Sequence, residues 1–354
     1  MSMLATLLQD LRPKYPSMLD KFELRGTNYG LFDKGITNAK SPKGIITPEI
    51  LAMAMASWGR NVDISVMSPK TAANGTGLSC TVVGVESLSA IMNITWVRVS
   101  NGFEMQRAKN PMNEISYDQE FLRKYTDAVR AMALSADQGT YSAINTAITP
   151  AAQYKSSYVG VGNKYTFLAN AMQVSLANRA AFFNEIEAIF AADDLNPAFD
   201  FIFSTNGRAV INPIINQGGA NSVNTQYPFT QGNFNFNYSN RVTLSAACDA
   251  TAFVMPEGAY AIVTRNSNTT KMALESSDGK KFGTAFSDLL GVDLGTIEYS
   301  TCGSIAVESG NADDSASVRD YFGMELNYGI ITPYSNFANS NMPSVIRKAD
   351  FLKA

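Results

Sequence analysis

Residues 116–144 read SYDQEFLRKYTDAVRAMALSADQGTYSAI, and this stretch carries the strongest structural signal in the chain. Ser116 with Gln119 three residues on makes a capping box, in which hydroxyl and amide satisfy each other's unpaired backbone donors at a helix start. Phe121, Leu122, Tyr125, Val129, Met132 and Ala136 then recur at helical spacing along one face. Arg123, Lys124, Asp127 and Arg130 lie off that seam. The spacing predicts a rod of roughly 20 residues, about 30 Å long, able to run past Gly139 toward Ile144.

Upstream of this rod the period changes to two. Val62, Ile64 and Val66 alternate with polar residues, Thr71–Gly77 reads as a loop, and Cys80–Val85 and Ile91–Val99 read as further strands. Asn101-Gly102 predicts a tight turn into Phe103–Gln106, because both central residues of the favoured hairpin turn take positive φ. Residues 61–107 are thus expected to form a long antiparallel excursion. Before it, Thr47-Pro48-Glu49 opens a helix through Ile50, Leu51, Met53, Ala54 and Trp58, with Gly59 as its stop. Residues 12–46 are punctuated by Pro13, Pro16, Gly26, Gly30, Gly35, Pro42 and Gly44 and read as an extended arm. Met3/Leu4, Leu7/Leu8 and Leu11 space out as one small amphipathic helix. Met1–Leu11 has no basic leader, so a soluble chain made in the cytoplasm is expected.

Downstream, Tyr165–Asp194 reads as a second helical region with Phe182, Ile186, Ile189 and Phe190 as its apolar stripe. Phe199–Phe203 is a short buried strand, and a short helix is expected around Val210–Ile215. Residues 216–240 are rich in Asn, Gln and Gly and read as a loop with an edge strand at Phe234–Tyr238. Ala259–Thr264, Leu294–Tyr299, Ser304–Val307 and Tyr321–Ile331 read as strands.

Composition excludes several kinds of chemistry. The chain has 354 residues, 45% of them hydrophobic but only 17% charged. A charge-poor, amide-rich surface suits a protein that lies against neighbours. Net charge is −3, so no basic field marks a nucleic-acid binder. Histidine is absent, which removes His-based triads, general bases and metal ligands together. Cys80, Cys248 and Cys302 lie far apart without a CxxC and read as buried thiols. No apolar run approaches a membrane span, the longest being Ile50–Ala56.

The remaining candidates for chemistry are weak. Gly160-Val161-Gly162 lacks the third glycine of a dinucleotide fingerprint, and neither a phosphate-binding loop nor a nucleophile elbow occurs. Ser41-Pro42-Lys43 and Ser68-Pro69-Lys70 lack the spacing of a serine–lysine pair. Asp193/Asp194 and Asp313/Asp314 read as solvated turns and miss the calcium ladder. Aromatics do not interleave with basic residues as a single-strand platform requires. No catalytic residue, cofactor site or metal site is assigned.

The order of elements is more informative than any motif. An N-terminal arm, an extended hairpin over Val62–Gln106 and a capped helix beginning at Ser116 resemble the major capsid proteins of tailed double-stranded DNA bacteriophages, the Hong Kong 97-type capsid fold that encapsulins share. The resemblance implies an α+β chain divided into an N-terminal arm and first helix (1–60), an E-loop-like hairpin (61–115), a peripheral-domain spine helix (116–164), an axial-like α/β domain (165–265) and strands returning to the peripheral domain (266–354). Met324–Pro333 (MELNYGIITP) belongs to that return. It further implies no enzyme activity. The expected partners are other copies, as pentamers and hexamers in a closed icosahedral shell, with a separate scaffolding protein, a portal and non-specifically packaged DNA, and no membrane. The expected place is the virion. No lysine–asparagine pair here matches the crosslink of some relatives.

A shell subunit needs more than one standard interface of ~1,600 Å². Trp96, Phe103 and Met105 are candidate assembly anchors, with Arg98 and Arg107 as charged partners, and packing beneath the hairpin's own sheet is the other reading of all five. The neutral loop at 216–240 could adapt to different neighbours around five- and six-fold axes. Two alternatives stand beside the capsid: an encapsulin-like compartment, and a histidine-free hydrolase or carbohydrate-binding protein working through carboxylates.

Overall fold

The computed structural model describes residues 3–11, 13–14, 30–41, 46–56, 63–67, 89–106, 117–193, 195, 198–219, 234–244, 246–265, 279–302, 318–332 and 345–353. The expected features at Trp58, Gly59, Thr71–Gly77, Cys80–Val85, Arg107, Ser116, Ser304–Val307 and Asp313/Asp314 lie outside these residues. The fold is mixed α+β, built on two larger sheets and one two-stranded sheet.

The rod is there and longer than its sequence core suggests. Helix α4 spans Tyr117–Thr146, 30 residues, or about 45 Å. Helices α1 (Met3–Leu11), α2 (Gly30–Lys40) and α3 (Pro48–Ala56) precede it in the chain. All six apolar positions read as its stripe are buried. They press on the inner face of a five-stranded antiparallel sheet, in which β10 (Lys281–Ser287), β11 (Val292–Cys302), β12 (Val318–Ile331) and β3 (Trp96–Gln106) run side by side and β9 (Ala261–Arg265) pairs with the far end of β12. Phe103, Phe121 and Phe322 meet there with centroids 5.2–5.5 Å apart. Each such side chain withdrawn from water contributes about 1.5–3 kcal/mol. Leu4, Leu8 and Leu11 of α1 close the same core, and the Leu4 amide donates to the Glu298 carboxylate at 2.8 Å.

Two expectations near this sheet need correction. Asn101-Gly102 is not a turn: β3 runs through it unbroken, with Asn101 opposite Met324 and Gly102 opposite Gly323. The 14-residue β12 supplies a continuous partner, and the Asn101 amide donates to the Ala128 carbonyl of α4. A Cβ at Gly102 would sit 2.8 Å from the Phe322 carbonyl oxygen, so glycine serves close strand approach here. The hairpin is therefore shorter than 61–107. Its strands are β1 (Asp63–Met67) and β2 (Ser89–Asn93), paired from Asp63↔Asn93 to Met67↔Ser89 as a separate two-stranded sheet. The chain leaves β2 at Ile94 and enters the body as β3.

The second large sheet has strand order β4-β5-β13-β8-β6-β7. Its members are Thr166–Leu168, Ala171–Val174, Arg347–Leu352, Cys248–Pro256, Phe199–Ser204 and Phe234–Ser239. A helix was expected from Tyr165, but β4 and β5 form a hairpin turned at Ala169 (φ 48°) and Asn170 (φ 65°), and helix α5 occupies only Arg179–Ala191. Phe182, Phe183 and Phe190 of α5 pack on Phe199, Phe201, Phe203 and Phe351. Helix α6 (Gly207–Gly219) carries the crossover between parallel strands β6 and β7. The segments read from sequence do not each keep to one sheet. Strand β13 follows β12 in the chain yet lies between β5 and β8, while β9 leaves the middle segment for the other sheet.

The arm expected over 12–46 is a helix in part. Gly30–Lys40 forms α2, with Leu31, Phe32, Ile36 and Ala39 buried. A Cβ at Gly35 would stand 2.6 Å from Ile262, so the glycine lets α2 lie directly on β9. The same helix reaches the second sheet, where Lys34 Nζ pairs with Asp200 at 3.1 Å. It is a wedge between the two sheets, not a free arm. Helix α3 keeps its expected start, the Ile50 amide donating to the Thr47 hydroxyl at 3.4 Å.

Candidate assembly surface

The proposed anchors divide by strand parity, since side chains along β3 alternate between faces. Met105 is fully buried, and Phe103 stacks on Phe322, so both pack inside the chain's own core. Trp96 lies half-buried beneath the Arg265 guanidinium, 4.1 Å from its ring. Arg98 points outward and pairs with Glu325 at 3.3 Å. These four come together on one strand but not on one surface, and Arg107 lies outside the described residues.

The outer face of the five-stranded sheet offers a more coherent surface. Gly102 and Gly323 face each other across β3 and β12, with Gly295 on β11 nearby. Together with Ile297, Phe282 and Glu325 they line a shallow trough of about 550 Å³. Beside it Tyr299 and Tyr321 stack at 4.8 Å, and Arg319 pairs with Glu104 at 3.4 Å. Elsewhere on the surface Met53 and Met55 of α3 stand 55% and 58% exposed, and Phe286 of β10 is 49% exposed. Sequence reading missed this face. Its one visible sign was glycine inside period-two segments, which marks a strand approached closely by something else.

The search for chemistry finds structural chemistry. Among the described residues no group of three or more Cys, Asp or Glu side chains comes together as a metal site, and no helix is long and apolar enough to cross a membrane. Gly160-Val161-Gly162 is a surface turn with both glycines at positive φ and Val161 fully exposed. Cys248 is a buried free thiol. Asp193 corrects its expected place in a solvated turn: it is buried and ion-paired with the fully buried Arg347. The guanidinium lies 4.3 Å from the Tyr154 ring and 5.5 Å from that of Phe190.

One further carboxylate sits where the two sheets meet. Asp137, on α4, is fully buried. One oxygen accepts the Leu31 and Phe32 amides at the start of α2 (3.0 and 2.9 Å), and the other accepts the Ser239 hydroxyl at 3.2 Å. Burial pushes its pKa up to about 6, against these hydrogen bonds and the Arg241 charge, which pull it down. The folded chain therefore holds a proton that the unfolded chain releases near 3.8. Stability from this group is full below pH 4 and is lost as pH rises through 6, about 3 kcal/mol in all at 1.36 kcal/mol per unit. Asp137→Asn keeps an acceptor for the amides and gains a donor for Ser239. The variant is expected to match wild type at pH 4 and to exceed it by up to about 3 kcal/mol at pH 8. Urea unfolding at the two pH values checks this, and equal loss at both would overturn it.

No protein-family model matches the chain, and neither does any curated protein. Solved structures do resemble it over most of its length. A chain from Mycobacterium phage Adephagia aligns at 13% identity and TM-score 0.47, covering 86% of this chain and 90% of that one. The capsid structure of the cyanophage P-SCSP1u aligns at 12% identity and TM-score 0.40, covering 85% of each chain. The mature capsid of bacteriophage PhiM1 aligns at 10% identity and TM-score 0.41, covering 83% of this chain and 82% of that one.

Proposed function

We propose that this chain is a shell-forming subunit, the major capsid protein of a tailed double-stranded DNA phage. The observation that carries the reading is the β1–β2 ribbon. It pairs only with itself among the described residues, while the chain on its far side returns at once into the body as β3. A two-stranded ribbon is marginal alone in water and gains stability by lying on another surface. The glycine-floored face of the five-stranded sheet, flat and open, has the form that accepts such a ribbon from a sister copy.

In this reading α4 and the five-stranded sheet are the peripheral body, and the six-stranded sheet with α5 and α6 is the axial body. Copies gather as pentamers and hexamers into a closed icosahedral head around packaged DNA, with a scaffolding protein and a portal as separate chains. Many weak contacts then sum through multivalency, and closed symmetry leaves no free interface to propagate. Negative-stain microscopy and sedimentation of the purified chain test the reading. Uniform hollow particles or capsomer rings are expected, and a monomer persisting at high concentration would overturn it.

A further inference from the structure

Where β6 passes into α6 the chain makes an Asn-Gly step that the fold itself imposes. Gly207 is buried at the first position of α6, and a Cβ there would stand 2.5 Å from that of Phe203. Only glycine lets the helix start this close to the end of β6. As the first residue of a helix, Gly207 has no carbonyl within the helix to receive its amide. Asn206 stands exposed before it. Its carbonyl accepts the Ala209 amide at 3.0 Å, while its carboxamide makes no hydrogen bond among the described residues. The chain holds two other Asn-Gly steps. Asn74-Gly75 lies outside the described residues. Asn101-Gly102 is held fast: the Asn101 amide donates to the Ala128 carbonyl at 3.3 Å, its Oδ1 accepts the Gly102 amide at 2.8 Å, and both residues stand in the β3–β12 ladder.

We propose that Asn206 is a self-modification site, at which the native chain converts its carboxamide to a carboxylate while Asn101 is preserved. The nucleophile is the Gly207 backbone nitrogen. It belongs to the next peptide unit, so its attack on Asn206 Cγ closes a five-membered ring and replaces a bimolecular encounter with an intramolecular one. Hydroxide takes the Gly207 amide proton, and the nitrogen's electron pair forms a bond to Cγ. The Cγ–Nδ2 bond breaks, and the departing nitrogen takes a proton from water and leaves as ammonia, which restores the hydroxide. Water then opens the ring, at Cγ to give aspartate or at the residue's own carbonyl carbon to give isoaspartate. Asparagine and water become aspartic acid and ammonia, and no oxidant or reductant takes part. Opening at Cγ puts a carboxylate at the cap of α6, where unpaired amides and the positive end of the helix dipole favour it. Each event takes the net charge one unit below −3. At Asn101 the same ring requires the Gly102 nitrogen to leave the ladder opposite Gly323 and the carboxamide to leave Ala128.

The test is peptide mapping of the full-length chain after it has stood in mildly alkaline water enriched in heavy oxygen. It is independent of whether shells form, because the chemistry lies within one copy. In the native chain the peptide carrying residue 206 is expected to exchange ammonia for one heavy oxygen, while the peptide carrying residue 101 keeps its mass. In urea both peptides should react alike, since the ladder that guards Asn101 is gone. Asn206→Gln keeps a carboxamide but has to close a six-membered ring, and its peptide should keep its mass in the native chain. Residue 206 unchanged in the native chain over the time in which the urea-unfolded chain reacts would overturn the proposal. So would residue 101 reacting in the native chain as fast as residue 206. A heavy oxygen entering residue 206 as readily in Asn206→Gln would overturn the role given to the Gly207 nitrogen.

Discussion

Replacing Arg347 with alanine is expected to destabilise the chain by about 3–5 kcal/mol, because the variant leaves the Asp193 carboxylate buried without its counter-charge. Both side chains of the pair are fully withdrawn from water. The Lys155 amide donates to the other Asp193 oxygen at 3.3 Å, which is too little to replace a guanidinium. The alanine also leaves a void between the Tyr154 and Phe190 rings. Removing both charges at once should cost much less, since a buried ion pair contributes little net stability over apolar groups of similar volume. Urea unfolding of Arg347→Ala against the double variant Arg347→Met/Asp193→Leu measures this. Equal losses in the two would show that the pair is not the source of the effect. Soluble yield serves the same comparison if the alanine variant does not fold.

The second large effect concerns assembly. Asp63 and Asn93 are cross-strand partners, and antiparallel partners stand about 4.5–5.5 Å apart between Cα atoms. A two-glycine turn can therefore replace residues 64–92. The shortened chain is expected to keep its fold, read by circular dichroism and a cooperative thermal transition, and to form no particles under conditions where wild type does. A wider excision of 61–107 should fail differently. It removes β3, and with it Met105 and Phe103 from the core, so the body itself should unfold. Particles from the 64–92 excision would remove the ribbon from the assembly mechanism.

Periodicity was legible wherever one element decided its own burial. Tyr117–Thr146 and Phe199–Ser204 follow directly from where their apolar residues fall. What escaped were features settled by a distant partner. Asn101-Gly102 has the local chemistry of a turn, but a long facing strand and a helix carbonyl claim the same groups. Asp193 looks solvated because its partner stands 154 residues away. Gly30 and Gly35 suppressed a helix reading of α2, although Leu31, Phe32, Ile36 and Ala39 already marked one face. Asp137 was the detectable case, an acid among Ala133, Ala136, Thr140 and Ile144 on the buried side of the rod. The anchors chosen on β3 show the same limit: alternation separates Met105 from Arg98, and only pairing with β12 reveals which parity faces water.

The place of β13 sets a clock on biosynthesis. This strand forms the ladder that joins β5 to β8, yet it is translated after every other strand of its sheet. Roughly 170 residues must be translated between β5 and β13, about 9–35 s at 5–20 residues per second. Until then nascent chains lack a finished second sheet. If the chain is the shell subunit proposed, partial copies on one polysome present no completed second sheet to each other.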